Sequence, residues 1–234
     1  MGGAYSDTTV IIPTFNERRN IGRLIRRLLK LYPGIRVIIS DDGSNDGTRE
    51  EVMAMTSRSN GVRFLDRRNS RQHGLTVSVL DAVMSVKNSK IIVMDGDMQH
   101  PPEKVGELSK ALDSCDIAVG VRTSVENWGF HRRVISKCMA YLSYAIFAVQ
   151  GRKVCNDIMS GFFGIKADVF KRLIRENRGS FVPDGYKVLL DILRLCDSNN
   201  RLEEVYYSTF HRREYGQSKF RFKHVVNTLR STFR

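Results

Sequence analysis

The stretch TTVIIPTFNERRNIGRLIRRLLKLYPGIRVIISDDGSNDGT, residues 8–48, decides the fold. TTVIIP (8–13) is a short β-branched run with no polar alternation, the mark of a strand covered on both faces. NIGRLIRRLLKL (20–31) changes period. It places Ile21, Leu24, Ile25, Leu28 and Leu29 on one helical face and arginines on the other. RVIIS (36–40) is again a buried strand, and DGTREEVMAM (46–55) opens a helix with Asp46 as its cap. Strand, helix and strand at this spacing form a parallel unit.

The alternation continues outward. VRFLD (62–66) reads as a strand, LTVSVLDAVMSV (75–86) as a helix and KIIVMD (90–95) as a strand. A helix from about Pro102 to Leu112 and the strand DIAVGV (116–121) follow. The class is α/β, with a doubly wound, mostly parallel sheet and helices on both faces. Ligands of such sheets bind beyond the carboxyl ends of the strands. PTFNE, DDGSND and DGDMQH each follow a strand directly, so they are expected to meet at one sheet edge. The second half is less regular. MSGFFGIKADVF (159–170) reads as a glycine-punctuated strand entering a helix, and GYKVLLDILRL (185–195) as a further helix.

Charge narrows the partners. The net charge is +13 and the pI about 9.9, which favours an anionic ligand or surface. Four dispersed cysteines, with no CxxC pair, argue against a zinc site and fit reduced thiols in a cytosolic setting. No segment supplies the roughly 20 uncharged apolar residues of a spanning helix, so the chain reads as soluble. Neither GxGxxG nor GxxxxGK[ST] occurs. Nucleic acid is not an expected partner, because no recognisable module interleaves the basic residues with stacking aromatics.

The polar clusters carry the chemistry. DDGSNDGT (41–48) uses the residues of a tight turn and helix cap; alternatively, Asp41 and Asp42 accept hydrogen bonds from a nucleobase or ribose. PTFNE (13–17) is on its own a proline stop and a helix entry. DGDMQH (95–100) sets two carboxylates one residue apart in a non-helical segment, where unpaired they would repel. Either a hard divalent ion, Mg²⁺ or Mn²⁺, resolves that repulsion with oxygens from Asp95, Asp97 and Gln99, or this is a surface turn with solvated acids. His100 is either a further ligand or a structural residue. FHRREYGQSK (210–219) offers Arg213 and Lys219 as a clamp on a diphosphate, or a solvated basic loop. ENWGFHRRVIS (126–136) sets Arg132 and Arg133 before an apolar run, which suits a phosphate with a greasy chain or a capped core helix.

Taken in order, IIPTFNE, DDGSNDGT, DGDMQH, VGVR, ENWGFHRRVIS, SGFFGIK, GYKVLLDIL and FHRREYGQSK resemble the dolichol-phosphate mannose synthase branch of the inverting family 2 glycosyltransferases. The resemblance runs from Val10 to about Lys219 and implies a GT-A fold. It implies a catalytic domain over residues 1–219 and a basic tail over 220–234. The implied reaction moves mannose from GDP-mannose to dolichyl or another polyprenyl phosphate, giving a β-linked product, with Mg²⁺ or Mn²⁺. UDP-glucose or a related sugar nucleotide is the alternative donor.

The resemblance also implies roles for residues. Pro13, Phe15 and Glu17 line the nucleotide pocket and Asp42 contacts the base. Asp95, Asp97 and Gln99 hold the metal. Arg213 and Lys219 bind the donor's phosphates and, with Asp97, form the catalytic set. Arg122, Arg132 and Ser136 match positions that hold the acceptor's phosphate. Thr76 stands where relatives often carry glycine, Asp191 where many carry Glu, and DGD replaces the commoner DAD. The basic residues near Arg132–Lys137 and in 211–234 fit peripheral contact with the anionic cytoplasmic face of a membrane. The apolar 134–149 segment lies either in that interface or in the core. Many relatives carry membrane helices beyond this point. This chain is therefore either of a soluble type that borrows a membrane-anchoring partner subunit, or a piece of a longer one.

Overall fold

The computed structural model describes residues 3–123, 144, 147, 149, 151, 154–183, 187–197 and 199–208. Seven strands form one sheet: β1 (Thr8–Thr14), β2 (Arg36–Asp41), β3 (Val62–Asp66), β4 (Lys90–Val93), β5 (Ile117–Arg122), β6 (Phe163–Lys166) and β7 (Leu202–Tyr207). Their spatial order is β3-β2-β1-β4-β6-β5-β7. All neighbours pair in parallel except β6, which runs antiparallel to β4 and β5. The described helices are α1 (Arg18–Leu31), α2 (Thr48–Thr56), α3 (Leu75–Met84), α4 (Val105–Ala111), α5 (Ala167–Asn177) and α6 (Val188–Leu195).

The unalternating strands are explained by cover on both faces. Val10 and Ile12 belong to one apolar cluster, with Ile21, Leu24, Ile25 and Leu28 of α1 and Leu108 of α4. Ile11 points the other way, into a cluster with Val79 and Val83 of α3, Phe170 of α5 and Leu189 of α6. Each of these side chains is fully buried, and complete burial of one aliphatic side chain stabilises by about 1.5–3 kcal/mol. The expected strands and helices of the first 122 residues are present with shifts of a few residues. Helix α1 starts at Arg18, and α2 starts at Thr48. The N-cap of α2 is Gly47 and not Asp46, whose carboxylate lies one residue earlier and accepts the Thr48 N–H at 3.0 Å. The 102–112 segment divides into a 3-10 turn (Pro102–Lys104) followed by α4.

Strand β6 is the glycine-punctuated strand expected in 159–170, and it leads directly into α5. It wedges between β4 and β5. A Cβ at Gly164 would lie 2.8 Å from Ile92 Cδ1, so this crossing admits only glycine without displacement. Strand β7 was not expected from the sequence. Within the apolar 134–149 segment, Phe147 is buried in the core, whereas Tyr144 and Val149 are exposed. The boundary expected at residues 219–220 lies outside the described residues. Among the described residues, no helix is long and apolar enough to cross a membrane.

Candidate active site

Because β1, β2 and β4 are parallel neighbours, their carboxyl ends lie side by side and the three polar clusters converge. The Asp42 N–H donates to the Thr14 carbonyl at 3.0 Å. The Asn16 N–H donates to Ser44 Oγ at 2.7 Å, and the Asn45 N–H donates back to Asn16 Oδ1 at 2.9 Å. The Glu17 N–H donates to Thr48 Oγ1 at 2.9 Å. The third cluster packs close by, since a Cβ at Gly96 would stand 3.4 Å from Thr14 Cγ2 and 3.7 Å from Glu17 Cγ. Two described non-glycine residues have left-handed backbone, Asn16 (φ 57°) and Met98 (φ 63°). Both sit in these clusters, where such strain often re-aims functional side chains.

The paired aspartates of β2 have different jobs. Asp41 is buried and looks inward. It accepts the Gly43 and Ser44 N–H groups at 3.2 and 2.8 Å and the Thr14 and Ser44 hydroxyls at 2.9 and 2.6 Å. It builds the turn. Asp42 is held by a second set. The Arg67 guanidinium and His73 Nδ1 (3.0 Å) approach Oδ1, and the Gly74 N–H donates to Oδ2 at 2.7 Å. Arg67 is only 3% exposed and also donates to Asp81 at 3.1 Å and to the Gln72 carbonyl at 2.8 Å. It ties Asp42 to the start of α3. Gly74 takes φ 130° at that junction, and Thr76 sits fully buried inside the helix. The departure from glycine at position 76 is therefore absorbed by regular helix.

Pro13 and Phe15 border the same edge. Pro13 is half-buried opposite Ser40, and Phe15 leaves its ring 46% exposed, an apolar plate of the kind a nucleobase stacks on. Glu17 is buried at the start of α1 and accepts the Asn20 amide at 2.9 Å.

The DGD turn follows β4. Asp97 is 4% exposed and its Oδ1 accepts the Gln99 N–H at 3.1 Å, while the Asp95 side chain is 38% exposed. Gly161 packs flat against Asp95. A Cβ there would stand 2.8 Å from Asp95 Oδ2, so the glycine leaves room for the carboxylate. Among the described residues, no three His, Cys, Asp or Glu side chains cluster as an all-protein metal site. The donors at this turn are two carboxylates and an amide. They fit a hard divalent ion that takes part of its shell from substrate oxygens.

His100 resolves toward a structural place. It is buried, its Nδ1 lies 2.9 Å from the Tyr207 hydroxyl, and its Nε2 lies 3.5 Å from Asp95 Oδ2. Burial pushes the Tyr207 phenol well above its ordinary range, partly opposed by Arg122 and reinforced by Asp157 and Asp95. Arg122, at the end of β5, forks onto Asp157 through Nε (2.6 Å) and Nη2 (2.8 Å). Burial works against that guanidinium's charge. The Asp157 carboxylate outweighs it and holds Arg122 above its ordinary value. Asp191, where many relatives carry Glu, is buried, accepts the Val182 N–H at 3.1 Å and lies 3.6 Å from Arg194.

Of the expected site residues, Pro13, Phe15, Glu17, Asp42, Asp95, Asp97 and Gln99 stand on the sheet's carboxyl edge. Arg122 also ends a strand there, committed to Asp157. Arg132, Ser136, Arg213 and Lys219 lie outside the described residues. Sequence reading missed Arg67, Asp157, Gly161 and Tyr207. Only Asp157 left a signal, as a lone acid inside the apolar run VCNDIMSGFF.

Comparison with known proteins agrees with this geometry. Residues 9–174 match the model of glycosyl transferase family 2. The chain is 32% identical over 97% of its length to a dolichol-phosphate mannosyltransferase of Pyrococcus furiosus, of which it spans 62%. It is 32% identical over 94% of its length to the Saccharomyces cerevisiae dolichol-phosphate mannosyltransferase, of which it spans 84%. A polyprenol monophosphomannose synthase of Mycolicibacterium smegmatis is 29% identical over 91% of this chain and 80% of its own. Among solved structures, glucosyl-3-phosphoglycerate synthase from Mycobacterium tuberculosis, in complex with Mn²⁺, UDP and glucosyl-3-phosphoglycerate, superposes with a TM-score of 0.66. It is 18% identical, over 89% of this chain and 72% of that one, which establishes a shared fold. With its GT-A sheet and the polar clusters at its edge, the chain belongs to glycosyl transferase family 2, with dolichol-phosphate mannosyltransferases among its relatives.

Proposed function

We propose that this chain transfers mannose from GDP-mannose to dolichyl or another polyprenyl phosphate, with inversion at the sugar carbon. The observation that carries the reading is the similarity to dolichol-phosphate mannosyltransferases along nearly the whole chain. The edge supports it with an exposed Phe15 ring, an Asp42 carboxylate fixed by Arg67 and the DGD turn.

Phe15 and Pro13 would face the base, with Glu17 beneath them and Asp42 accepting from the base. Asp95, Asp97 and Gln99 would hold Mg²⁺ or Mn²⁺, which supplies positive charge against the donor diphosphate. The Mn²⁺ named in the complex of the solved neighbour supports a divalent ion as cofactor. Arg213 and Lys219 would neutralise the leaving diphosphate, and Arg122, Arg132 and Ser136 would receive the acceptor's phosphate. Arg122 stays in this set with the Asp157 carboxylate behind it. A phosphate monoester is already largely ionised at neutral pH, its second pKa being about 6. The acceptor therefore needs no general base, and alignment with charge neutralisation supplies the catalysis. A single displacement converts an α-linked donor to a β-linked lipid phosphate.

A lipid acceptor calls for a membrane surface, and the reaction is proposed to run at its cytoplasmic face. The cations near Arg132–Lys137 and in 211–234 are proposed to lie against anionic lipid there, each worth about 1 kcal/mol near the surface. A membrane-anchoring subunit would add to that contact. The test is a panel of radiolabelled sugar nucleotides with a short polyprenyl phosphate. Lipid-linked label from GDP-mannose is the expected result. Label from UDP-glucose alone would replace the donor and keep the acceptor, and label in neither would end the reading.

A further inference from the structure

Behind the DGD turn lies a chain of polar groups of which the proposed reaction uses only the first, Asp95. Its members are Asp95, His100 on the same turn, and Tyr207 at the end of β7, 107 residues further on. His100 and Tyr207 are 2% and 3% exposed, so neither reaches a substrate from the open edge. The two rings are wedged with Phe162, whose centroid lies 5.2 Å from that of His100 and 5.9 Å from that of Tyr207. Neither ring can swing without disturbing the other two.

The direction of the chain follows from which atoms can donate. A carboxylate only accepts, so the nitrogen facing Asp95, Nε2, must carry the proton. In the neutral imidazole Nδ1 is then an acceptor, and the group 2.9 Å away, the Tyr207 hydroxyl, must be the donor. Tyr207 thereby selects the tautomer that presents Nε2–H to Asp95. At 3.5 Å the Nε2–Oδ2 contact is long for a full hydrogen bond. It limits how far the carboxylate can turn back toward the protein. Gly161 lies against the same oxygen, since a Cβ there would stand 2.8 Å from Asp95 Oδ2.

We propose that His100, oriented by Tyr207, is a positioning residue that holds the Asp95 carboxylate in the pose required by a divalent cation. The cation itself belongs to the function proposed above, and this inference rests on that reading. A carboxylate free to rotate must be ordered at the moment of binding; one packed against an imidazole and a glycine is ordered in advance. Purely structural packing would instead leave metal affinity indifferent to the loss of a single hydroxyl.

Three variants separate these cases. Tyr207→Phe removes only the O–H, His100→Phe removes the donor while keeping a ring, and His100→Gln restores an amide N–H near the place of Nε2. Free Mn²⁺ is followed by electron paramagnetic resonance as Mn²⁺ is titrated into each protein, alone and with GDP or UDP present, and melting temperatures are recorded alongside. Loss of such a supporting partner weakens metal binding by about 10–100-fold. His100→Phe is expected in that range, Tyr207→Phe below it and His100→Gln closer to the parent protein. Unchanged Mn²⁺ affinity in Tyr207→Phe and His100→Phe would overturn the proposal and assign both residues to packing. If His100→Phe does not fold, Tyr207→Phe, which preserves shape, decides alone. The site reading fails differently. A parent protein whose weak Mn²⁺ binding is unaffected by Asp97→Ala has no cation site at this turn, and both proposals fall together.

Discussion

The two sides of the sheet reach the site by different routes. On the β3-β2-β1-β4 side the strands are parallel, each ends in a polar cluster, and the clusters bond to their neighbours across adjacent strand ends. On the β6-β5-β7 side the functional groups are pairs brought together from far apart in the chain, Arg122 with Asp157 and His100 with Tyr207. We propose that the first side meets the ligand and that the second supports it from behind. A parallel edge can gather acids, but it needs a rigid, partly antiparallel flank to aim them.

Removing a group proposed to hold the metal should abolish chemistry without unfolding the chain. Asp97→Ala is the largest expected effect, a loss of about 10²–10³-fold or more in lipid-linked transfer, as for other lost charge-stabilising groups. Its melting temperature should stay near that of the parent protein. Removing a buried ion-pair partner on the flank should cost stability as well. Asp157→Ala strands the buried Arg122 guanidinium and is expected to cost about 3 kcal/mol of stability, read from the urea midpoint. Arg122→Met combined with Asp157→Leu should recover much of it. If Asp157→Ala proves as stable as the parent, the flank is not the rigid support described.

Two smaller changes sharpen the division. Arg67→Met frees Asp42 and the start of α3, and is expected to raise KM for the sugar nucleotide roughly tenfold, about 1.4 kcal/mol, the worth of one charge-assisted hydrogen bond. In Gly161→Ala the new methyl displaces the Asp95 carboxylate, the mobile partner in that contact. Transfer should fall and the urea midpoint hardly move. The smallest effect is on the alkaline limb of stability. Burial raises the Cys115 thiol from 9.0 to about 11, with Glu203 adding to the shift. A proton held more tightly in the folded chain stabilises fully below pH 9 and is lost as the pH rises through about 11. Urea midpoints of Cys115→Ala over that window should fall less steeply than those of the parent.

The same division governs what the sequence could reveal. Strands β1, β2 and β4 are buried on both faces, so their apolar runs are unbroken and easily read, and the acids that end them stand in plain view. Strand β7 escaped because LEEVYY places Glu203 and Glu204 in mid-strand at the sheet's border, where solvent removes the apolar signal. Arg67 in LDRRNS looks like any surface arginine; only the fold buries it against Asp42 and Asp81. Asp41 and Asp42 are chemically identical neighbours. The chain's path at the end of β2 turns Asp41 into the turn and Asp42 toward Arg67, His73 and Gly74, so sequence left both uses open.

The claim on which the rest depends is that the DGD turn carries a divalent ion joining the protein to a nucleoside diphosphate. Calorimetric titration of GDP, with Mn²⁺ and with EDTA, into the parent protein and Asp97→Ala tests it directly. The account predicts markedly tighter GDP binding with Mn²⁺ in the parent protein and no gain from Mn²⁺ in Asp97→Ala. Equal GDP affinity with and without Mn²⁺ in the parent protein, or an undiminished Mn²⁺ gain in Asp97→Ala, would contradict it.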